Sequence, residues 1–257
     1  MAEFVTAESL AGLPGLAHGF FTRRGGVSAG PFAALNCSLS GKDDADAVRE
    51  NRRRAADALG VPATALAGLT QVHGIDVAVL DTPWPENDRP VADALVTRRP
   101  GLALGVVTAD CAPVLFADAE SGVIGAAHAG WRGAVAGVLE ATIAAMEALG
   151  ARRGRIVTAV GPCIRQPSYE VAADLRDAVL ARDPADARFF ADGVREGRWQ
   201  FDLAGYCAAR LTAAGVAAEV TPHDTLALED AFFSHRRRTL AGGGPIGHQL
   251  SSIVIGG

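Results

Sequence analysis

The chain has 257 residues, of which 49% are hydrophobic and 21% charged, and its formal net charge is −5. A chain of this length and apolar content can bury a large core, as one large domain or two small ones, and its composition is not that of a disordered protein. The negative net charge argues against a general nucleic-acid-binding surface, but it is compatible with a local basic pocket for phosphate.

The N-terminal segment lacks a basic stretch followed by an apolar run, and no run of about 18 apolar residues occurs later in the sequence. We therefore expect neither a secretory signal nor a transmembrane helix. The four cysteines, Cys37, Cys111, Cys163 and Cys207, form no close pair and no Cys-x-x-Cys motif. Together these features predict a cytoplasmic protein with reduced thiols.

Short apolar runs between turn residues predict strands, and apolar residues at spacings of three and four predict helices. In chain order the predicted elements are a strand from His18 to Arg23, a helix from Asp43 to Leu59, two strands from Leu69 to His73 and from Asp76 to Leu80 that pair around Gly74, a loop from Thr82 to Pro90, four buried strands (Ala94 to Thr97, Ala103 to Thr108, Val114 to Ala117, Val123 to Ala127), a helix from Trp131 to Leu149, a strand from Ile156 to Val160, helices from Val171 to Ala181 and from Leu203 to Ala214, and strands from Ala218 to Thr221 and from Ser252 to Ile255. Because these elements follow no strict β-α-β alternation, we predict one α+β domain spanning residues 1–257.

Three separate segments each carry one metal ligand beside glycine or at a tight turn, namely His73, Cys111 and His128. Two imidazoles and a thiolate are natural ligands for zinc, and three ligands leave a position open for water or substrate, as in catalytic sites. Taken singly, each residue is equally typical of a buried core position. No metal-binding spacing such as His-Glu-x-x-His links them, so a shared zinc site and three structural residues are both open.

Other polar residues near these segments are candidates for supporting roles. Asp93 and Asp110 are suited to acid–base work or to orienting a ligand histidine, and equally to capping strand ends. The helix that begins at Gly130-Trp131 offers free N–H groups to an anion, or its glycine simply allows close packing. Cys163 is assigned to the structure, because no histidine lies near it in the sequence. A more distant anion site can be built from arginines that are each equally typical of a solvated surface: Arg23, Arg52, Arg236 and Arg237.

Ten short motifs occur in order from residue 20 to residue 237. They are Phe20–Ser28, Leu35-Asn36, Asn51–Arg53, Gln71–Gly74, Ala92–Thr97, Thr108–Pro113, His128–Gly133, Gly161–Ile164, Ser168–Val171 and Phe233–Arg237. This set resembles the YfiH family, whose members are also labelled polyphenol oxidase or laccase-domain proteins and purine nucleoside phosphorylases.

The resemblance implies a layered α/β/β/α sandwich with mixed β-sheets and zinc held at His73, Cys111 and His128. It also implies phosphorolysis of adenosine, inosine and S-methyl-5′-thioadenosine, with adenosine deamination as a second reaction. A bacterial branch of the family is linked to peptidoglycan editing. Two segments depart from the family pattern and put substrate specificity in doubt: His223-Asp224-Thr225, where members often carry Cys-Thr, and Ile246-Gly247-His248, where many carry Thr-Gly-Arg.

The leading hypothesis is a zinc-dependent purine nucleoside phosphorylase in which His73, Cys111 and His128 are both metal ligands and catalytic residues. Its partners would be a purine nucleoside and phosphate, with no nucleic acid and no membrane. The predicted substrate contacts are Arg23, Asn36, Arg52, Arg236 and Arg237.

Three alternatives stay open. A cysteine hydrolase or amidase would use Cys111 as nucleophile and His128 or His73 as base. A copper oxidase is compatible with two histidines and a cysteine, so copper is a possible cofactor, but the six histidines include no His-x-His pair for a further copper cluster. A zinc-stabilised binding module would show no turnover.

Overall fold

The computed structural model describes residues 1–256, and over this range strands and helices alternate irregularly along the chain. The strands are β1 Phe4–Val5, β2 Leu16–Phe21, β3 Leu66–Ala67, β4 Val77–Val79, β5 Ala94–Thr97, β6 Ala103–Thr108, β7 Ala112–Asp118, β8 Val123–Ala129, β9 Val157–Val160, β10 Glu170–Val171, β11 Phe190–Asp192, β12 Trp199–Phe201, β13 Ala217–Val220 and β14 Gln249–Ile255. The helices are α1 Glu8–Ala11, α2 Ala45–Ala58, α3 Trp131–Ala136, α4 Val138–Ala148, α5 Ala173–Arg182, α6 Leu203–Ala213 and α7 His235–Leu240. Within residues 1–256, none of these helices combines the length and the apolar character needed to cross a membrane.

Two large mixed sheets and one small sheet organise the strands. The first large sheet has the order β1-β2-β14-β6-β3, and the second has the order β13-β9-β7-β8-β5-β4. Central neighbours such as β7 and β8 are antiparallel, whereas the edge strands β3, β4 and β13 pair in parallel with their neighbours. The small sheet has the order β10-β12-β11.

The two large sheets face each other across a shared apolar layer. Phe20, Leu104 and Ile253 of the first sheet belong to the same buried cluster as Leu115 and Ile124 of the second. These side chains are almost completely buried, and each stabilises the fold by about 1.5–3 kcal/mol relative to an exposed position.

Helices cover the outer faces of both sheets. On the first sheet, Ala55 and Ala56 of α2 pack against Phe21 and Leu250. On the second sheet, residues of α4, α5 and α6 pack against the outward-facing side chains of β5, β7 and β8. The chain therefore forms four layers, α/β/β/α, and the predicted class of mixed sheets in a layered sandwich is confirmed. The extent of one domain over residues 1–257 stays a prediction.

The predicted strand from Leu69 to His73 and its pairing around Gly74 are wrong, whereas the strand predicted from Asp76 to Leu80 is present as β4. β3 ends at Ala67, β4 pairs with β5, and residues 71–74 form a loop. The physical reason is that the N–H groups of residues 72–74 are donated to the carboxylate of Asp93, so they are not available for a strand ladder.

The predicted helix from Trp131 to Leu149 is interrupted. Gly137 adopts a left-handed conformation with φ of 112°, which ends α3 and begins α4. Residues with a Cβ rarely adopt this conformation, so glycine is needed where the helix axis changes.

We expect Gly137→Ala to lower the free energy of unfolding by about 1–2 kcal/mol, because the added Cβ is strained at this φ. Gly154→Ala is the matched control, since Gly154 has no positive φ and no atom lies within 4 Å of the Cβ position. Urea denaturation of both variants checks this, and equal stability of the two would contradict it.

Candidate metal centre

Three side chains that are far apart in the sequence meet at one point of the fold. The Nε2 atom of His73 lies 3.7 Å from the Sγ atom of Cys111. The centroids of the His73 and His128 rings are 4.7 Å apart. One ligand atom from each of the three residues lies within 4.8 Å of the other two. The predicted ligand set is therefore brought together.

The sheet register explains how two of the ligands meet. Cys111 immediately precedes β7, and the pairing of Ala112 with Ala129 places it beside the end of β8 that carries His128. His73 comes from the loop between β3 and β4.

Glycine is required next to the centre. A Cβ on Gly130 would lie 2.7 Å from the Cδ2 atom of His73 and 3.0 Å from the Sγ atom of Cys111. The glycine of the motif thus leaves room for the ligand side chains to approach β8.

Two residues of the site have positive φ angles although they are not glycine. His73 has a φ of 63° and Asp110, which precedes Cys111, has a φ of 95°. Such conformations persist only where surrounding contacts enforce them. The carboxylate of Asp110 accepts hydrogen bonds from the hydroxyl of Thr225 and the backbone N–H of Arg236, both at 2.6 Å. These contacts fix the direction in which the next residue, Cys111, leaves the turn.

Asp93 joins the two histidine-bearing segments. Its carboxylate accepts the backbone N–H groups of Val72, His73 and Gly74 at 3.1, 2.9 and 2.6 Å. The same carboxylate lies 2.7 Å from the Nδ1 atom of His128. Since Asp93 orients that nitrogen as the donor, the Nε2 atom of His128 is the one available to a ligand.

The charges of the site favour the metal-binding form of the cysteine. Burial alone raises the pKa of Cys111, but the positive charge of His128 and hydrogen bonds from both imidazoles outweigh it and hold the pKa below its ordinary value. Burial lowers the pKa of His128, while the Cys111 thiolate and the Asp93 carboxylate outweigh burial and raise it. The thiolate is the form of cysteine that ligates metals.

The donor set fits a zinc-type ion. Zinc–sulfur and zinc–nitrogen bonds in a tetrahedral site place the two donors about 3.5 Å apart. The 3.7 Å between Cys111 and His73 is close to that value. A thiolate with two imidazoles also suits copper, so the geometry supports a bound metal without choosing between the two.

A cavity of about 490 Å³ lies beside the three ligands. Its wall includes two of the predicted substrate contacts, Arg52 and Arg236. It also includes Trp131, at the helix start predicted to offer N–H groups to an anion, and polar or aromatic residues that were not predicted to contact substrate: Ser38, Ser40, Arg132, Tyr169, His235 and His248.

The remaining predicted substrate contacts, Arg23, Asn36 and Arg237, are not among the residues that line the cavity. The guanidinium of Arg23 donates to the carbonyl groups of Ala33 and Glu229. Arg237 likewise donates to backbone carbonyls, and the amide of Asn36 donates to Asp43. Their polar groups support loops, so the structure gives them a packing role instead of a place at the cavity.

The two departures from the family pattern fall in different environments. His248 lines the cavity, where burial together with the positive charges of His128 and His235 lowers its pKa to about 4. It is therefore a neutral imidazole at pH 7. Asp224 accepts a hydrogen bond from the hydroxyl of Ser168 at 2.6 Å, and it does not line the cavity. The sequence signal for His248 was its departure from the family motif.

Comparison with known proteins gives consistent matches over nearly the whole chain. The family model described as multi-copper polyphenol oxidoreductase laccase matches residues 17–256. The chain is 45% identical over 231 residues to purine nucleoside phosphorylase ORF3 of Streptomyces griseus, covering 88% of this chain and 91% of that relative. It is also 45% identical over 228 residues to a purine nucleoside phosphorylase of Deinococcus radiodurans, covering 86% and 83%.

Solved structures show the same fold. A Neisseria meningitidis protein assigned to family DUF152 is similar with a TM-score of 0.88 and 34% identity, covering 99% of both chains. The protein YlmD of Geobacillus stearothermophilus is similar with a TM-score of 0.86 and 31% identity, covering 98% of this chain and 94% of that one.

We expect Asp93→Asn to weaken zinc binding about 10- to 100-fold, because an amide cannot serve all four donors that the carboxylate accepts. Asp118→Asn is the matched control, since Asp118 is an equally buried carboxylate that binds Arg155 and the N–H of Arg152 instead. Competition with a chromophoric chelator measures the affinity. Equal zinc affinity in the two variants would show that Asp93 does not support the centre.

Proposed function

We propose that this chain, which belongs to the multi-copper polyphenol oxidoreductase laccase family, also called YfiH, is a zinc-dependent purine nucleoside phosphorylase. The substrates are adenosine, inosine and S-methyl-5′-thioadenosine, and adenosine deamination is a side activity. The single observation that supports this most is the three-ligand set of His73, Cys111 and His128 on the wall of a cavity that also presents arginines. The relatives that carry the name purine nucleoside phosphorylase support the same kind of enzyme.

The cavity suits a nucleoside in size and in lining. A volume of about 490 Å³ lies within the usual range for small-molecule sites. Trp131 and Tyr169 offer flat aromatic surfaces for a purine ring, and the guanidinium of Arg236 lies 5.5 Å from the Tyr169 ring. Arg52 and Arg236 offer charge-assisted hydrogen bonds to phosphate.

Phosphorolysis forms a bond between a phosphate oxygen and C1′ of the ribose while the bond from C1′ to the purine nitrogen breaks. His73, Cys111 and His128 would hold the zinc ion, which when bound supplies a Lewis acid or an activated water. Asp93 keeps the Nδ1 proton on His128, so the imidazole does not turn away from the centre. The arginines balance the charge of phosphate as it approaches the sugar.

Amide hydrolysis is a second candidate function, favoured by one specific observation. Cys111, His128 and Asp93 form a thiol–imidazole–carboxylate series, which is the arrangement of many cysteine hydrolases. A thiolate that is bound to a metal is not free to attack a carbonyl group. Tight stoichiometric zinc therefore favours the phosphorylase over the amidase.

The family description suggests copper oxidation, but the side chains support one metal. Over residues 1–256, one group of at least three histidine, cysteine or acidic residues is positioned to hold an ion. A multi-copper oxidase needs a second, histidine-rich copper cluster. We therefore rank oxidation of phenols below the other two activities.

The reaction products test the proposal directly. Incubation of the zinc-loaded protein with adenosine or inosine should release free base and ribose 1-phosphate, and chromatography should show both only when phosphate is present. Cleavage of an amide-bearing cell-wall precursor without any release of base would instead support the hydrolase.

A pair of cysteine variants tests the metal. Wild-type protein should carry about one zinc ion per chain, and Cys111→Ala should lose both the metal and the activity while staying folded, because open catalytic sites contribute little to stability. Cys163→Ala is the control, since Cys163 is fully buried and burial raises its pKa to about 12. Elemental analysis, turnover and circular dichroism compare the three proteins. Full zinc content in Cys111→Ala would contradict the assignment.

A further inference from the structure

The cavity wall includes a buried arginine, Arg52, that forms no ion pair with an acidic side chain of residues 1–256. Arg52 is only 9% exposed, and its guanidinium donates to the carbonyl groups of Cys37 and Leu66 at 3.4 and 3.2 Å. The acidic side chain that acts on Arg52 is Glu86, and its carboxylate is already paired with Arg49 at 3.2 Å. A buried positive charge is costly without a counter-charge. An anion bound beside Arg52 would therefore stabilise its charged form.

A second guanidinium, that of Arg89, contacts Ser40 of the cavity wall. Arg89 belongs to the proline-rich loop, residues 82–90, which Trp84 anchors by donating to the carbonyl of Gly68 at 2.8 Å. Burial lowers the pKa of Arg52, and the positive charge of Arg89 lowers it further. The Nε–H group of Arg89 is buried and has no hydrogen-bond partner among the described residues. Like charges repel each other, and an anion that contacts both guanidinium groups would relieve the repulsion.

Ser40 connects Arg89 to the cavity. The Nη2 atom of Arg89 donates to the hydroxyl oxygen of Ser40 at 3.4 Å. Since this oxygen accepts from Arg89, the O–H group of Ser40 is free to donate to a ligand. Ser40 and Arg52 line the same cavity as the metal ligands.

We infer that Arg52 and Ser40, with Arg89 as a positioning residue that contacts Ser40, form a binding site for a phosphate group on the wall of the cavity. This inference rests on the proposed function, for which the expected ligand is inorganic phosphate. A guanidinium fork, a hydroxyl donor and a second positive charge match a phosphate dianion. A phosphate ester of a nucleoside has the same chemistry and is the alternative source.

Arg236 is the weaker candidate for holding phosphate. Its guanidinium donates to the carbonyl of Glu170 at 2.8 Å and lies over the Tyr169 ring. Its own backbone N–H is held by the carboxylate of Asp110. A phosphate dianion beside Arg236 would be repelled by the carboxylate of Asp110. The carboxylate that acts on Arg52 is that of Glu86, and its charge is already offset by Arg49.

The test uses zinc-loaded protein and two variants outside the buried core, Arg89→Gln and Ser40→Ala, together with Arg52→Lys. Inorganic phosphate, titrated against sodium chloride of equal ionic strength, should raise the melting temperature of the wild type. Each variant should need about tenfold more phosphate for the same shift, because one charge-assisted or polar contact is lost. Arg99→Gln is the control, since it removes the same charge from an exposed arginine that lies 3.6 Å from Asp81.

Kinetics separate this site from the proposed reaction. In Arg89→Gln and Ser40→Ala the KM for phosphate should rise while the KM for the nucleoside stays as in Arg99→Gln. Phosphate binding that is lost in the variants, with no phosphorolysis in the wild type, would support the site and refute the proposed function. Phosphate binding as tight in both variants as in the control would overturn the site. Stabilisation by adenosine 5′-monophosphate but not by inorganic phosphate would overturn the assignment to the free anion.

Discussion

The carboxylate of Asp93 is the interaction on which the rest of the site depends. It is fully buried and is satisfied by three consecutive backbone N–H groups and by the imidazole of His128. These hydrogen bonds, together with the positive charge of His128, outweigh burial and lower the pKa of Asp93. A buried carboxylate with four donors fixes each donor in place, because loss of any one would leave part of the charge uncompensated. The loop that carries His73 is thereby attached to strand β8.

This attachment determines where the candidate metal ligands lie within the four-layer fold. The second sheet provides a rigid frame, in which the central strands β7 and β8 bring Cys111 and His128 together at one end of the strand pair. The third candidate ligand, His73, lies on a loop whose residues 71–74 pair with no strand. The strained φ of His73 is maintained because the Asp93 carboxylate binds its N–H group and those of both neighbours. Catalytic groups on loops over a rigid scaffold are a common arrangement in enzymes.

The sequence predicted the parts of the fold that depend on local apolar patterns. Strands β5 to β8 are continuous apolar runs, and their bounds were predicted to within two residues. The prediction of a strand from Leu69 to His73 is wrong, because backbone donors of this segment bind a side chain about 20 residues away. The three candidate metal ligands were identifiable since each stands beside a turn. Arg89 carried no signal, because it acts through a loop whose position depends on contacts such as that between Trp84 and Gly68.

The charged groups on the cavity wall differ in how far their charge is offset. At the candidate metal centre, the Cys111 thiolate and the nearby Asp93 carboxylate would offset the charge of a divalent ion. Arg52 lines the same cavity, and the carboxylate of Glu86 that acts on it is already paired with Arg49. The charge of Arg52 is therefore less well offset than that of a bound ion would be. Under the proposed function, this difference would draw a phosphate dianion towards Arg52 and leave the open position of the metal to the nucleoside or to water.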